Sequence, residues 1–326
     1  MQEINKRNSR TWSRLGQRGT VCGVALPEML KEQEGYYVMT ADLAHLSGLD
    51  RIRQNFPHQF INVGIAEQNM IGVASGLAFE GNTVFVTTYA TFLSMRGYEQ
   101  IRHNLGYQRA NVKLIGSASG LAMGMSGNTH YSYEDLAIMR AIPNMVVVSP
   151  ADAVEAYQAV YCAANQEGPV YIRLSGNLNE PVIYSEPYDF QLGKGMILKQ
   201  GEDIVLIATG GVVADALCAA ERLDSYGISS AVINMHTIKP LDEEVIKRHF
   251  HVKWMVTVEE HNMIGGLGSA VAEFLASQKN SPLLARIGVE DQFLHPADHG
   301  FLKQKCGLDS DGIYKKIINI LERTNK

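Results

Sequence analysis

The stretch Phe60-Ile-Asn-Val-Gly-Ile-Ala-Glu-Gln-Asn-Met70 decides how this chain of 326 residues is read. A β-prone run from Phe60 to Val63 is broken by Gly64, and a helical pattern opens near Ala66 and continues from Met70 to Phe79. A short apolar strand feeding a helix through a glycine turn is the building unit of a parallel sheet covered on both faces. The turn puts Glu67 in the first helical turn, where a carboxylate complements the helix dipole. That alone accounts for a lone glutamate. Behind it, Gly72, Ala74, Ser75, Gly76 and Ala78 give the helix small side chains, which let another backbone come close. An interface helix headed by a carboxylate is the more specific picture. A carboxyl dried by such an interface favours its neutral form, which suits general acid–base work.

The same unit repeats along the chain. Strands are expected at Tyr37 to Thr40, Thr83 to Thr87, Val112 to Ile115, Met145 to Ser149 and Val170 to Leu174, with helices over Phe92 to Asn104 and Ala153 to Asn165. From Gly176 to Gly195 the pattern stops. Pro181, Pro187 and polar residues there read as an interdomain linker. Alternation restarts with strands at Ile204 to Ala208, Ala231 to Asn234, Trp254 to Val258 and Leu284 to Ile287, and helices near Ala214 to Ser225 and Ser269 to Ser277. The fold class is α/β, with two domains built on mainly parallel sheets. The length agrees, at about 150 residues per domain.

Composition excludes several function classes. With 46% apolar and 19% charged residues the chain is ordinarily globular, and a net charge of −5 offers no basic field for nucleic acid. The four cysteines form no C-x-x-C pair, which suits a reducing cytoplasm better than disulfides or structural zinc. No run of about 18 apolar residues occurs, so no membrane span is expected. The start, Met1 to Gly19, is basic and polar without an apolar signal region. It reads as an ordered arm lying on a partner.

Two further stretches carry candidate chemistry. In Tyr89-Ala-Thr-Phe-Leu-Ser-Met-Arg-Gly-Tyr-Glu-Gln100, the side chains Phe92, Met95 and Tyr98 recur every three residues near one helical face. Such a stripe is ordinarily core; the alternative is a flat apolar platform for a heteroaromatic ring. Arg96 beside it either meets an anion or is solvated. Gly116-Ser-Ala-Ser-Gly-Leu-Ala-Met-Gly-Met-Ser-Gly-Asn-Thr-His130 is a glycine-rich loop at the carboxyl end of a strand, where open α/β sheets bind ligands. It matches neither phosphate-binding glycine motif. His130 at its end is either a loop histidine or an imidazole aimed at a substrate oxygen.

Weaker motifs have plainer readings. Ile264-Gly-Gly-Leu-Gly-Ser269 lacks the third glycine of a dinucleotide fingerprint, and tight helix–strand packing explains it better. His295-Pro-Ala-Asp-His299 outlines a metal pair, but Pro296 disfavours a regular helix presenting both rings. No G-x-S-x-G anchors serine-hydrolase chemistry.

Taken together, Val38-Met-Thr-Ala-Asp-Leu43, Gly64-Ile-Ala-Glu-Gln-Asn69, Tyr89-Ala-Thr-Phe-Leu93, Gly127-Asn-Thr-His130, Ile142-Pro-Asn-Met145, Ser149-Pro-Ala-Asp152 and Val258-Glu-Glu-His-Asn-Met-Ile-Gly-Gly-Leu-Gly268 resemble the C-terminal section of a transketolase. Split bacterial forms are the nearest kind, with 1-deoxyxylulose-5-phosphate synthase as a cousin. The resemblance spans about residues 15–300. It implies a pyrimidine-binding domain over 1–190, including the arm and linker, and a transketolase C-terminal domain over 191–326. The implied cofactor is thiamine diphosphate with magnesium (Mg2+). The Gly-Asp-Gly and Asn motif that holds the metal and diphosphate in full-length relatives is absent here, so no metal ligand is expected in this chain. A separate N-terminal, diphosphate-binding subunit is implied, in an α2β2 heterotetramer that self-associates through both domains. The expected activity is transfer of a two-carbon ketol unit between sugar-type substrates.

By the same resemblance, Glu67 matches the glutamate that shares a proton with the aminopyrimidine N1′ atom. Phe92 matches the ring stacked on the pyrimidine, with Met95 and Tyr98 in neighbouring cofactor-binding positions. His130 matches a substrate-channel histidine, and Asp42 an interface aspartate. Departures fall on substrate recognition. The loop aspartate four residues before the histidine is Ser126 here, an upstream loop histidine falls at about Ala118, and the phosphate-binding Leu-Ser-Arg motif reads Leu174-Ser-Gly176 with only Arg173 nearby. A site without that charge-assisted contact binds a sugar phosphate poorly, so the expected donor or acceptor is not a standard pentose phosphate. Substrate contacts are thus assigned to Ser126, Arg173 and Arg96. The beta subunit of a 2-oxoacid dehydrogenase carries the same domain pair, and a non-catalytic scaffold subunit is the alternative of another class. The Gly127-Asn-Thr-His130 and Glu259-Glu-His261 runs weigh against the former, and intact Glu67 and Phe92 against the latter.

Overall fold

The computed structural model describes residues 1–324. Twelve strands follow in chain order: β1 (Tyr36–Thr40), β2 (Phe60–Asn62), β3 (Thr83–Tyr89), β4 (Val112–Ser117), β5 (Val146–Val148), β6 (Val170–Arg173), β7 (Met196–Lys199), β8 (Ile204–Thr209), β9 (Ser230–Asn234), β10 (Thr237–Lys239), β11 (Trp254–Asn262) and β12 (Leu283–Val289). They form a seven-stranded sheet in the order β10-β5-β6-β4-β3-β1-β2 and a five-stranded sheet in the order β12-β11-β8-β9-β7. Within each sheet the pairings are parallel except at one edge, where β10 and β7 run antiparallel. Every residue of β3, β4 and β8 is buried. Strands sealed on both faces have no polar side to present, which is why they read as continuous apolar runs rather than alternating ones.

Of these strands, β7 and β10 had no counterpart in the sequence reading. Both are edge strands of three or four residues, and β7 is only half-buried, so neither leaves a long apolar run. β10 links the lobes: it follows β9 of the smaller sheet in sequence, yet pairs with β5 of the larger one. One hydrophobic core continues across the join, with Met139 and Ile142 from the first lobe packed in the same cluster as Ile207, Ile233 and Met235 from the second.

The N-terminal arm is a helix, Lys6–Thr20, one face of which packs on its own chain, with Trp12 only 2% exposed and stacked 4.3 Å from Tyr157 of helix Ala153–Asn165. Its polar composition hid that face. The helix is broken at Gly16, whose φ of +68° suits glycine. A Cβ there would lie 1.9 Å from the Asn177 carbonyl oxygen, so glycine is what lets the arm meet the connecting segment. That segment, 176–195, contains no helix or strand, but it is not loose. Tyr184 and Phe190 are buried, and the Asp152 carboxylate accepts the N–H groups of Ile183 and Tyr184 at 2.8 and 2.9 Å.

Candidate active site

The turn after β2 is built around Asn62. Its Oδ1 accepts the N–H groups of Asp42 (2.9 Å) and Gly64 (3.1 Å), and its Nδ2 donates to Asp42 Oδ1 (3.2 Å). Asp42 and Gly64 both take positive φ, so two tight turns are pinned by one amide. The second releases the chain into helix Glu67–Phe79 with Glu67 as its first residue. Glu67 is 5% exposed, whereas Ile65, two residues before it, is 76% exposed. The carboxylate therefore lies at the floor of an open cavity lined by Ile65, Ala66, Gln68, Asn69 and Arg96.

The segment after β3 reaches the same place. Residues Phe92–Arg96 form a π-helical turn, followed by one α-turn over Tyr98–Gln100 and a second π segment over Ile101–Tyr107, where the sequence led us to expect one regular helix. Wide turns of this type are rare and often sit at functional sites. The result separates the expected stripe: Phe92 is half-buried, Met95 is exposed with its sulfur 3.6 Å from Thr91 Oγ1, and Tyr98 packs against the main core. Arg96 returns over the turn. Its Cζ lies 4.1 Å from the Phe92 ring centroid and its Nη1 donates to Glu67 Oε1 at 3.1 Å.

His130 completes the cluster from the glycine loop. Its ring centroid is 5.3 Å from Phe92 and 6.2 Å from Tyr89, both edge-on, and Thr129 Oγ1 lies 2.9 Å from Nδ1. Glu67, Arg96, Phe92 and His130 are thus one continuous chain of contacts. Tyr89, which closes it, opens the Tyr89–Gln100 stretch in the sequence but is assigned no role of its own there. The loop is held by Asn128 Nδ2 donating to the Leu294 carbonyl at 2.8 Å and Tyr131 OH donating to that of Gly124 at 2.7 Å. Ser126 is exposed on its surface.

Arg173 lies elsewhere, buried between the lobes. Its Nε donates to both oxygens of Asp135 (3.0 and 2.9 Å), Tyr171 OH donates to the same carboxylate (2.6 Å), and its Nη2 donates to the carbonyls of Ser132 and Glu260. The other glycine motif is a packing device, as expected. Glu259 takes the N–H groups of Leu267 and Gly268 at 2.7 Å each, filling the helix start with the chain's own carboxylate. A Cβ on Gly266 would lie 2.0 Å from that carboxylate. His299 pairs with Glu260 at 3.0 Å rather than with His295. Among the described residues, no three His, Cys, Asp or Glu side chains are placed to hold a metal together, and no helix is long and apolar enough to cross a membrane.

A buried glutamate heading a helix at a parallel-sheet edge, beside a half-buried aromatic ring, is the arrangement expected of a transketolase pyrimidine-binding domain. The comparisons agree with this class. Residues 18–180 match the family model for the transketolase pyrimidine-binding domain, and residues 193–313 that for the transketolase C-terminal domain. The chain belongs to the transketolase family. It is 42% identical over 303 residues to a putative transketolase C-terminal section of Methanocaldococcus jannaschii, covering 92% of this chain and 95% of that one. It is 40% identical over 304 residues to a 6-deoxy-6-sulfo-D-fructose transketolase subunit of a Clostridium species, covering 92% and 93%. Among solved structures, one described as a split-gene transketolase in an inactive beta4 tetramer superposes with a TM-score of 0.85 at 38% identity, over 93% of this chain and 97% of that one.

Proposed function

We propose that this chain is the pyrimidine-side subunit of a two-chain, thiamine-diphosphate-dependent transketolase that moves a two-carbon ketol unit between sugar-type substrates in the cytoplasm. Residues 1–190 serve as the pyrimidine-binding domain and 191–326 as the C-terminal domain. The observation that carries the reading is Glu67, a carboxylate almost closed off by its own chain yet facing an open cavity. The residues present fit the pyrimidine half of the cofactor: a carboxylate to share a proton with a ring nitrogen, and Phe92 to stack on the ring. The diphosphate and Mg2+ belong to the partner subunit.

Bound thiamine diphosphate supplies the electron sink for breaking a carbon–carbon bond next to a carbonyl. This chain contributes position and proton traffic. Glu67 holds or releases one proton at the pyrimidine nitrogen, and its position at the first turn of a helix fixes where that proton goes. Phe92 sets the ring plane. His130, held edge-on by Phe92 and Tyr89, presents an imidazole to substrate oxygens. Ser126, exposed four residues before it on the same loop, and Arg96, over the Phe92 ring, are the polar groups assigned to substrate beside it.

The need for a partner rests on the outer face of helix Glu67–Phe79. Asn69, Gly72, Val73, Gly76 and Phe79 are exposed, and a Cβ on Gly72 or Gly76 would meet nothing within 4 Å. The chain's own packing does not require those glycines; close approach of another chain does. The family relative described as an inactive beta4 tetramer accords with a subunit that self-associates and lacks activity without its partner; with that partner, an α2β2 complex is the assembly we expect. Substrate choice follows from Arg173, whose Nε and Nη2 are bound internally, so no guanidinium reads a sugar phosphate in the usual way. A non-standard donor or acceptor is the consequence, in line with the sulfofructose relative.

The test is co-expression with a diphosphate-binding transketolase subunit, followed by a donor and acceptor screen with thiamine diphosphate and magnesium. The complex should turn over and the chain alone should not. Glu67→Ala should lower turnover by about 10³-fold with its circular dichroism unchanged. Unchanged turnover makes the chain a scaffold, and equal, efficient use of xylulose 5-phosphate and ribose 5-phosphate defeats the substrate assignment.

A further inference from the structure

A second polar pocket lies between the lobes, where the carboxyl ends of both sheets converge. Ser149 follows β5, Arg173 ends β6, Gly211 follows β8, Glu260 lies late in β11, and His299 and Lys303 come from helix His299–Cys306. Its cavity volume is about 30 Å3. Carboxyl ends of parallel strands are where α/β folds take ligands.

Three features point to the ligand. The Ser149 hydroxyl is 1% exposed and has no hydrogen-bond partner among the described residues. Buried hydroxyls are rarely left that way. The 3-10 turn Gly210–Val212 that leads into helix Val213–Ser225 has no side-chain cap; its Gly210 N–H donates to the Ser149 carbonyl at 3.1 Å, and Gly211 lies on the pocket wall. A Cβ on Gly210 would sit 2.8 Å from Ser149 Oγ and 3.9 Å from Arg173 Nη1, so glycine leaves open the spot that both groups face. Arg173, Lys303 and His299 line the space, and each is also paired with a carboxylate: Arg173 with Asp135, Lys303 with Asp215, and His299 with Glu260, the one carboxylate on the pocket wall. That carboxylate, Glu260, is already engaged: both oxygens face His299 Nε2 at 3.1 and 3.0 Å, and Oε1 also accepts the Leu121 N–H at 2.8 Å. Burial alone would push the Glu260 carboxyl up, but the His299 charge and hydrogen bond hold it at about 2.

We propose that this pocket binds a small tetrahedral oxyanion, phosphate or a phosphomonoester end, through Ser149 Oγ, the Gly211 end of the helix, Arg173 Nη1 and Lys303 Nζ. Ser119, also on its wall, and Leu121 belong to the glycine loop that ends at His130, so an occupied pocket braces that loop from behind. The inference stands apart from the catalytic reading, since none of these groups is at Glu67.

The test is a titration of the purified full chain with inorganic phosphate, and separately with glycerol phosphate, at constant ionic strength against chloride, read by calorimetry and melting temperature. Saturable binding at millimolar or lower concentration is expected. Ser149→Ala and Lys303→Met should each weaken it at least fivefold, with Ser149→Ala leaving the melting temperature in chloride unchanged because no hydrogen bond is lost. Tighter binding of glycerol phosphate identifies an ester as the ligand, and tighter binding of phosphate the free ion. Absence of saturable binding, equal affinity in wild type and Ser149→Ala, or loss of binding in Arg96→Ala alone overturns the proposal.

Discussion

Arg96 lies flat over Phe92, with its Cζ 4.1 Å from the ring centroid, and from there reaches Glu67. One guanidinium thus covers the face on which a pyrimidine would stack and neutralises the carboxylate that would serve it. The guanidinium is about half exposed, so its contacts are modest. A cation over an exposed ring contributes about 0.5–1 kcal/mol, and a surface ion pair at most about as much. Arg96 is therefore a displaceable placeholder. Arg96→Ala should raise the affinity of the reconstituted complex for thiamine diphosphate about fivefold while leaving the chain's melting temperature within a degree or two. A tenfold fall in affinity would instead make Arg96 a direct ligand of cofactor or substrate.

The glycines of helix Glu67–Phe79 separate folding from assembly. Gly72 and Gly76 face open space in the single chain, and replacing a helical glycine gains about 0.5–1 kcal/mol of helix propensity. Gly72→Leu should leave the isolated chain as stable as wild type or slightly more so. It should abolish co-purification with the diphosphate-binding subunit, because a leucine fills the space where a second backbone must come. Normal assembly of this variant on size-exclusion chromatography would move the interface elsewhere.

Arg173 answers a different question. The pair with Asp135 is closed to water, with Arg173 5% and Asp135 0% exposed. Removing one member of a buried pair strands the other, at a cost of about 3–5 kcal/mol. Arg173→Met should lower the urea midpoint accordingly. In whatever folded fraction remains, the KM for the sugar substrate should change less than threefold, since the guanidinium faces Asp135 and not the catalytic cavity. A selective rise in KM with full stability would restore Arg173 as a substrate ligand.

The contrast between these residues shows what a sequence can carry. Glu67 and Phe92 each follow a strand end within five residues, a local event visible in a window of ten residues, and His130 closes the glycine loop that follows β4. The parallel sheets were legible for the same reason, since β3, β4 and β8 are buried throughout and rich in apolar and β-branched residues. Arg173 was misleading because its partner, Asp135, is 38 residues away and nothing in either neighbourhood signals the pair. The packing of Trp12 on Tyr157 and the pairing of β10 with β5 were hidden likewise, being contacts between segments about 90 to 145 residues apart. The π turn at Phe92–Arg96 was illegible for another reason: apolar spacing of three suits an α-helix, and only the backbone shows the wider turn.

Where the arm, the connecting segment and the first lobe meet, carboxyl groups are packed away from water. Burial, and then the nearby Asp152, push Glu180 up to about 8; burial raises Glu155 to about 7 and Asp152 to about 6. Each holds its proton in the folded chain at a pH where the unfolded chain has released it. Folding therefore takes up protons, and stability is full below the ordinary carboxyl range and lost as pH rises toward the folded-state value. His236, lowered to about 4, and Lys113, lowered to about 7, act in the opposite sense over other windows, so the whole-chain profile mixes signs. A paired measurement isolates Glu180. Glutamine mimics its protonated form, keeping an oxygen for the Gln17 N–H that Glu180 accepts at 3.2 Å. Glu180→Gln should match wild type near pH 5, gain on it by about 1 kcal/mol per pH unit up to pH 8, and level off above. Urea unfolding of both proteins at pH 5, 6.5 and 8 measures the difference directly. A constant difference across that range would mean that Glu180 ionises like an exposed carboxyl and that water reaches the joint between the arm and the connecting segment.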